Sequence, residues 1–171
     1  RTRPKVRISA NLSAIVCQIP KQLTGHALGK ATKYSRNSMH FTYKQKVLFK
    51  HCDPAGIVFY PRFFEMINDA VEALFSDVLN WPFEYMHPNA GVPTAAFNVC
   101  FKKPCRHGDY LELCLRFTRL SKTSLTLITQ AMKSDVLCFE ADQTLVCVNG
   151  EGRPAPWPAH VRAKINALIE V

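Results

Sequence analysis

The run His51-Cys52-Asp53-Pro54-Ala55-Gly56-Ile57-Val58-Phe59-Tyr60-Pro61 concentrates the chemistry of this chain. Asp53 is a lone carboxylate, fixed by Pro54 in a short turn that contains Gly56. The turn leads through apolar Ile57–Tyr60 into a helix opened by Pro61, a residue suited to the first helical position because its missing N–H would be unpaired there anyway. Such a carboxylate can act as general base or nucleophile. The unpaired N–H groups of the helix start can receive a developing oxyanion. Together these groups suit hydrolysis. The same Asp-Pro pair also suits an Asx turn with no catalytic duty. Cys52 is not expected to be the nucleophile, because neighbouring strand side chains point to opposite faces. Glu65, Asp69 and Glu72 are further carboxylates, but a charged strip along a helix is ordinarily solvated.

The elements around that run set its position. Phe41, Tyr43, Val47 and Phe49 share one face opposite Lys44 and Lys46, which predicts a strand over 41–49. From Pro61 to Leu79, apolar Phe64, Ile67, Val71, Leu74, Phe75 and Val78 recur at helical spacing. Phe63, Met66, Ala70 and Ala73 widen that face, so the helix is expected to be mostly buried. Residues 81–91 read as a loop. Four more strands are expected at about 92–103, 109–119, 124–133 and 136–148. Short breaks between them, at Arg106–Asp109, Ser121–Thr123 and Lys133–Asp135, predict meander pairing of successive strands. Val161, Ile165 and Leu168 predict a short C-terminal helix. Strand, long apolar helix, four strands and a short helix make an α+β fold, with an antiparallel sheet wrapped around one helix.

The net charge is +9, from 22 Lys and Arg against 13 Asp and Glu. Residues 1–38 hold eight of the basic residues and no acid, which leaves 39–171 at +1. A nucleic-acid footprint belongs on the folded domain itself, so no nucleic-acid partner is expected. The basic 1–38 segment, followed by Met39, is read as a leader with little packed structure; protected amides there would contradict this. Seven cysteines without paired metal spacing suit a reduced, cytoplasmic setting and no metal. No apolar run is long enough to span a membrane.

The His51–Pro61 run resembles the active-site segment of the 4-hydroxybenzoyl-CoA thioesterase family. The resemblance continues through Gly91-Val92-Pro93-Thr94, Phe101-Lys102-Lys103-Pro104 with Gly108-Asp109, Ser121-Lys122-Thr123-Ser124 and Gly152-Arg153-Pro154, over roughly residues 40–165. It implies a hot-dog fold of five strands around a central helix, dimers or tetramers with sites at the subunit interface, and hydrolysis of an acyl-CoA without metal or prosthetic group. Coenzyme A enters only as part of the substrate.

The resemblance makes Asp53 the catalytic carboxylate and the Tyr60 backbone N–H the group that polarises the thioester carbonyl. It places Arg119, Lys122 and Arg153, with Ser124 alongside, near the CoA phosphates, where basic side chains are suited to bind. His51 stands where other members carry an acid, and a substrate or solvent contact is one role for it; a structural histidine is the other. Thr94 and Asn98 are candidate contacts to the acyl group, and Phe59, Phe97 and Phe101 candidate walls for an aromatic ring. The reading is a thioesterase for a hydroxybenzoyl-type acyl-CoA. A short- or medium-chain aliphatic substrate and a non-catalytic acyl-CoA or acyl-carrier-protein binder are the alternatives.

Overall fold

The computed structural model describes residues 41–169; the 1–38 segment lies outside them. The main strands are β1 (Phe41–Lys46), β3 (Thr94–Phe101), β4 (Tyr110–Leu120), β5 (Ser124–Lys133) and β6 (Val136–Val146). Two-residue strands β2 (Ala90–Gly91) and β7 (Val148–Asn149) pair with each other. The helices are α1 (Pro61–Asp77), α2 (Phe83–Met86) and α3 (Ala159–Ile169). The five main strands form one antiparallel sheet in the order β1-β4-β5-β6-β3. This is the expected α+β arrangement of five antiparallel strands and one buried helix.

The expected meander holds only for β4, β5 and β6. β3 does not pair with β4 but runs along β6 at the far edge. The flank of β4 that β3 would occupy is taken by β1, with Phe41 opposite Leu115 and Lys46 opposite Tyr110. Residues 102–109 therefore form a crossing loop rather than a hairpin. They span three strand positions, about 14 Å at the usual interstrand spacing. The amides of Lys102 and Lys103 bond to the Cys138 carbonyl on β6, at 2.7 and 3.0 Å. At the other end of the loop, Val47 and Asp109 join through the Val47 N–H at 2.8 Å. Two further expectations are corrected. Residues 81–91 contain α2, and the strand expected over 41–49 gives way after Lys46 to a 3₁₀ turn at Phe49–His51.

Helix α1 buries Phe63, Met66, Ile67, Ala70, Val71, Leu74 and Phe75, an i, i+3, i+4 stripe against the sheet. Phe64 is not on that stripe. It is exposed and meets Phe97 of β3 with ring centroids 5.0 Å apart. Phe63 takes the inner place, packed on Phe101 and Phe139. At the other end of α1, Phe75 lies among Trp81, Phe83 and Trp157. Lys164 of α3 donates to the Val78 carbonyl at 3.0 Å, a cation placed where the helix dipole favours one. Among the described residues no helix is long and apolar enough to cross a membrane.

Candidate active site

Asp53 opens a tight reverse turn. Its backbone accepts from Gly56 N–H at 2.9 Å and donates to the Ile57 carbonyl at 3.0 Å, while Cys52 and Val58 pair antiparallel across the base. Gly56 sits at φ +75°, a left-handed conformation that a side chain strains. The carboxylate is half-buried, and Oδ1 accepts from Ala55 N–H at 2.8 Å. The Asx turn read from Asp-Pro is therefore present. It also orients the catalytic candidate, since tying Oδ1 leaves Oδ2 for chemistry. Asp53 lines a cleft of about 480 Å³ with Phe49, Cys52, Pro54, Gly56 and His107.

Tyr60 is the N-cap of α1 and Pro61 its first residue. The Arg62 and Phe63 amides turn back onto the Phe59 and Tyr60 carbonyls, at 2.8 and 3.1 Å. Among the described residues the Tyr60 N–H has no hydrogen-bond partner. The start of the helix thus offers one free backbone donor next to its positive end. The Tyr60 ring is 58% exposed and packs edge-on against Phe59. Because the proposed group is the main-chain amide, Tyr60→Phe is expected to leave kcat within about twofold. A large loss, measured by thiol release, would move the role to the phenol.

His51 is buried, and its Nδ1 accepts from Leu48 N–H at 3.0 Å while its carbonyl takes Phe59 N–H at 2.9 Å. Of the two roles read for it, these bonds support the structural one: His51 ties the segment after β1 to the entry of α1. Burial, with the Lys50 charge, pushes the imidazole below its ordinary value of 6.5. The unfolded ring protonates as pH falls through that value and the folded ring resists, so stability declines from there downward. His51→Asn keeps an acceptor for Leu48 but does not titrate. Its melting temperature is expected to vary less than wild type between about pH 7 and 5.5, and an equal slope would contradict this.

Cys52 lines the same cleft as Asp53, although its own backbone is extended and bridges to Val58. Its thiol donates weakly to the Leu48 carbonyl at 3.9 Å. Glu65, Asp69 and Glu72 are exposed, as expected of a solvated strip, and Glu65 pairs with Arg62. Local spacing gives no sign of His107, Phe49 or Arg106. His107 meets Phe49 edge-on at 6.0 Å, and Arg106 Nη1 reaches the Gly56 carbonyl at 3.4 Å. The crossing loop makes both meetings, joining residues some fifty positions apart.

The remaining candidates lie elsewhere. Arg119, Lys122 and Arg153 are exposed at the opposite end of the sheet. The strap 147–157 bonds there to the 121–124 turn, through Cys147 N–H to Thr123 O at 2.8 Å and Trp157 N–H to Lys122 O at 3.3 Å. Arg162 of α3 joins them, donating to Ser121 O at 3.0 Å; its helical position conceals it in the sequence. Ser124 is engaged within the turn, its hydroxyl 2.7 Å from that of Ser121. Thr94 begins β3 at this same end, where its hydroxyl accepts from the buried Gln143 amide at 2.8 Å. The 11 residues of β4, at about 3.3 Å each, separate this end from Asp53 by roughly 30 Å. One copy of the chain therefore does not bring its basic group or Thr94 to its own Asp53. Phe97 and Phe101 lie along β3, while Phe59 is exposed beside Tyr60.

The sequence matches the model of the thioesterase-like superfamily over residues 47–165. It is 24% identical over 116 residues to the 1,4-dihydroxy-2-naphthoyl-CoA hydrolase of Nostoc punctiforme, spanning 67% of this chain and 78% of that one. Among solved structures the fold is similar to Slr0204, a 1,4-dihydroxy-2-naphthoyl-CoA thioesterase from Synechocystis. The TM-score is 0.68 at 23% identity, covering 75% of this chain and 96% of that one. It is also similar to BH1999 gentisyl-coenzyme A thioesterase, with a TM-score of 0.68 at 25% identity and coverage of 73% and 99%.

Proposed function

This chain belongs to the thioesterase-like superfamily, and from that premise we propose that it hydrolyses a hydroxylated aromatic acyl-CoA to the free acid and CoA. The hydrolase class follows from the superfamily and from relatives named as hydrolases and thioesterases. Supporting an aromatic acyl group, those relatives are named for aromatic CoA esters, and the His51–Pro61 run resembles the active-site segment of the 4-hydroxybenzoyl-CoA thioesterase family. The observation that carries the mechanism is one segment holding both an oriented carboxylate and an unpartnered amide, Asp53 Oδ2 and Tyr60 N–H. The thioester carbonyl is polarised by the Tyr60 amide and the α1 dipole. Oδ2 then either attacks the carbonyl carbon, giving the CoA thiolate and a mixed anhydride that water cleaves to the free acid and the regenerated Asp53 carboxylate, or takes a proton from a water that attacks the carbonyl carbon directly. In both routes the C–S bond breaks and its electron pair leaves on sulfur. No metal or prosthetic group enters either route.

The separation of Asp53 from the basic end calls for a second copy. β3 is an edge strand, Thr-Ala-Ala-Phe-Asn-Val-Cys-Phe, without a charged residue. Phe101 at its end is exposed, as is Phe64, which packs on Phe97 of the strand. The opposite edge, β1, carries Lys44 and Lys46, the kind of charge that discourages strand addition. Two copies paired antiparallel through β3 about a two-fold axis are isologous. The Lys122–Arg153 end and Thr94 of one then meet the Asp53–Tyr60 end of the other. The functional unit is accordingly a homodimer, alone or within a tetramer.

Steady-state hydrolysis of a panel of aryl and alkyl CoA esters, read by thiol release, tests the reading. Preference for hydroxyaryl esters is the expected result. Preference for alkyl esters would replace the substrate class, and binding without turnover of any ester would end the enzymatic reading.

A further inference from the structure

We propose that Asp109, ion-paired to Lys133, is a positioning residue that holds the crossing loop against the Asp53 turn. The proposal rests on the reading of Asp53 as the reactive carboxylate. Asp109 Oδ1 lies 2.8 Å from Lys133 Nζ at the end of β5, and Oδ2 accepts the Arg106 amide at 2.8 Å. Its own amide returns to the Arg106 carbonyl at 3.0 Å. These bonds close a tight loop in which Gly108 takes φ +87°.

That loop grips the reactive segment from both sides. Before the Asp53 turn, Val47 exchanges bonds with it, donating to Asp109 O at 2.8 Å and accepting from Gly108 N–H at 2.9 Å. After the turn, the Cys105 carbonyl accepts Val58 N–H at 2.8 Å. Across the top, Arg106 Nη1 reaches the Gly56 carbonyl. The Asp53 turn is thus fastened to the sheet chiefly by residues 105–109, and the conformation of 105–109 is set by one carboxylate.

The electrostatics agree with that geometry. Burial alone would raise the Asp109 carboxyl, but the Lys133 hydrogen bond and the Arg106 amide more than offset it and hold it below the ordinary carboxylate range. The Asp109 side chain is only 15% exposed, so the pair is less screened than a surface bridge. Loss of the carboxylate frees the Arg106 amide and lets 105–109 relax. Asp53 then drifts relative to the Tyr60 amide, and displacement of that kind lowers kcat with little effect on binding of the distant nucleotide.

The test combines an activity split with a measurement independent of activity. Asp109→Ala is expected to lower kcat about tenfold for an aryl-CoA ester while KM stays within about twofold. In the same variant the Val58 amide should exchange with solvent at least about tenfold faster, while Leu127 in the core of β5 keeps its protection. Lys133→Met should show a weaker version of both effects and Lys133→Arg should restore them. Because Lys133 is half-exposed, this pair carries the test if Asp109→Ala does not fold. Unchanged Val58 exchange in the folded variants would overturn the proposal, as would faster exchange with unaltered kcat. If Asp53→Asn also retains full turnover, the reading of Asp53 has failed, a different result from failure of the clamp.

Discussion

Asp53→Asn is expected to lower kcat by about 10³-fold, the loss typical of a missing proton-transfer or nucleophilic group. Its melting temperature should stay near wild type. The expectation follows from the division of labour between the two carboxylate oxygens. Oδ1 holds the turn through Ala55 N–H, a bond that an asparagine carbonyl oxygen accepts equally well. Oδ2 is replaced by an amide nitrogen that neither attacks a carbonyl nor takes a proton from water. The fold therefore persists while the chemistry stops. Turnover near wild type in a folded Asp53→Asn protein would end the assignment. In single-turnover hydrolysis in heavy-oxygen water, label in the Asp53 carboxylate marks a mixed anhydride that water opens at the aspartyl carbon, whereas label only in the product acid is common to a general base and to an anhydride opened at the acyl carbon.

Two defective proteins should together give an active one. Lys122→Glu/Arg153→Glu is expected to raise KM for acyl-CoA by roughly tenfold for each phosphate interaction removed. It should affect a truncated pantetheine thioester, which lacks those phosphates, much less. Asp53→Asn fails for the separate reason given above. If each site takes Asp53 from one copy and the basic group from the other, a mixed dimer concentrates both defects in one site. Its second site has an intact Asp53 facing an intact Lys122 and Arg153. Co-refolding the two variants should therefore recover activity at low acyl-CoA that neither shows alone. Absence of recovery, with mixed dimers present by mass, would place each site within a single copy. Equal loss for the truncated ester would remove the phosphate role.

How far the sequence reveals this molecule depends on the range of the interaction concerned. The helix from Pro61 and the strands of β4, β5 and β6 follow from local periodicity, because burial imposes a 3.6- or two-residue spacing on neighbouring positions. The Asp53 turn is equally local, since Pro54 and Gly56 act on their own backbone. The place of β3 is not local. A short break normally joins adjacent strands, but here the loop from Lys102 to Asp109 passes two of them, β6 and β5, because β1 already occupies the flank of β4. That same crossing carries His107 to the cleft and Arg106 to the Gly56 carbonyl. Phe64 departs from its expected place for a related reason. Helical spacing fits either Phe63 or Phe64 on the inner face, and only the positions of Phe101 and Phe139 decide between them. For His51 the residue type offers two roles, and only the fold shows the bond its Nδ1 accepts from Leu48 N–H, which supports the structural one.

The unequal edges of the sheet bear on how large an assembly can grow. A sheet with two adhesive margins invites indefinite addition, copy upon copy, and tends toward fibres. Here only the margin of β3 is uncharged, and the proposed two-fold pairing would consume it on both partners. The outer margins of the resulting continuous sheet are then the lysine-bearing β1 strands, which repel a third copy. In the proposed dimer, growth by strand addition would be self-limiting at two, and substituting Lys44 and Lys46 with apolar residues would remove the stop.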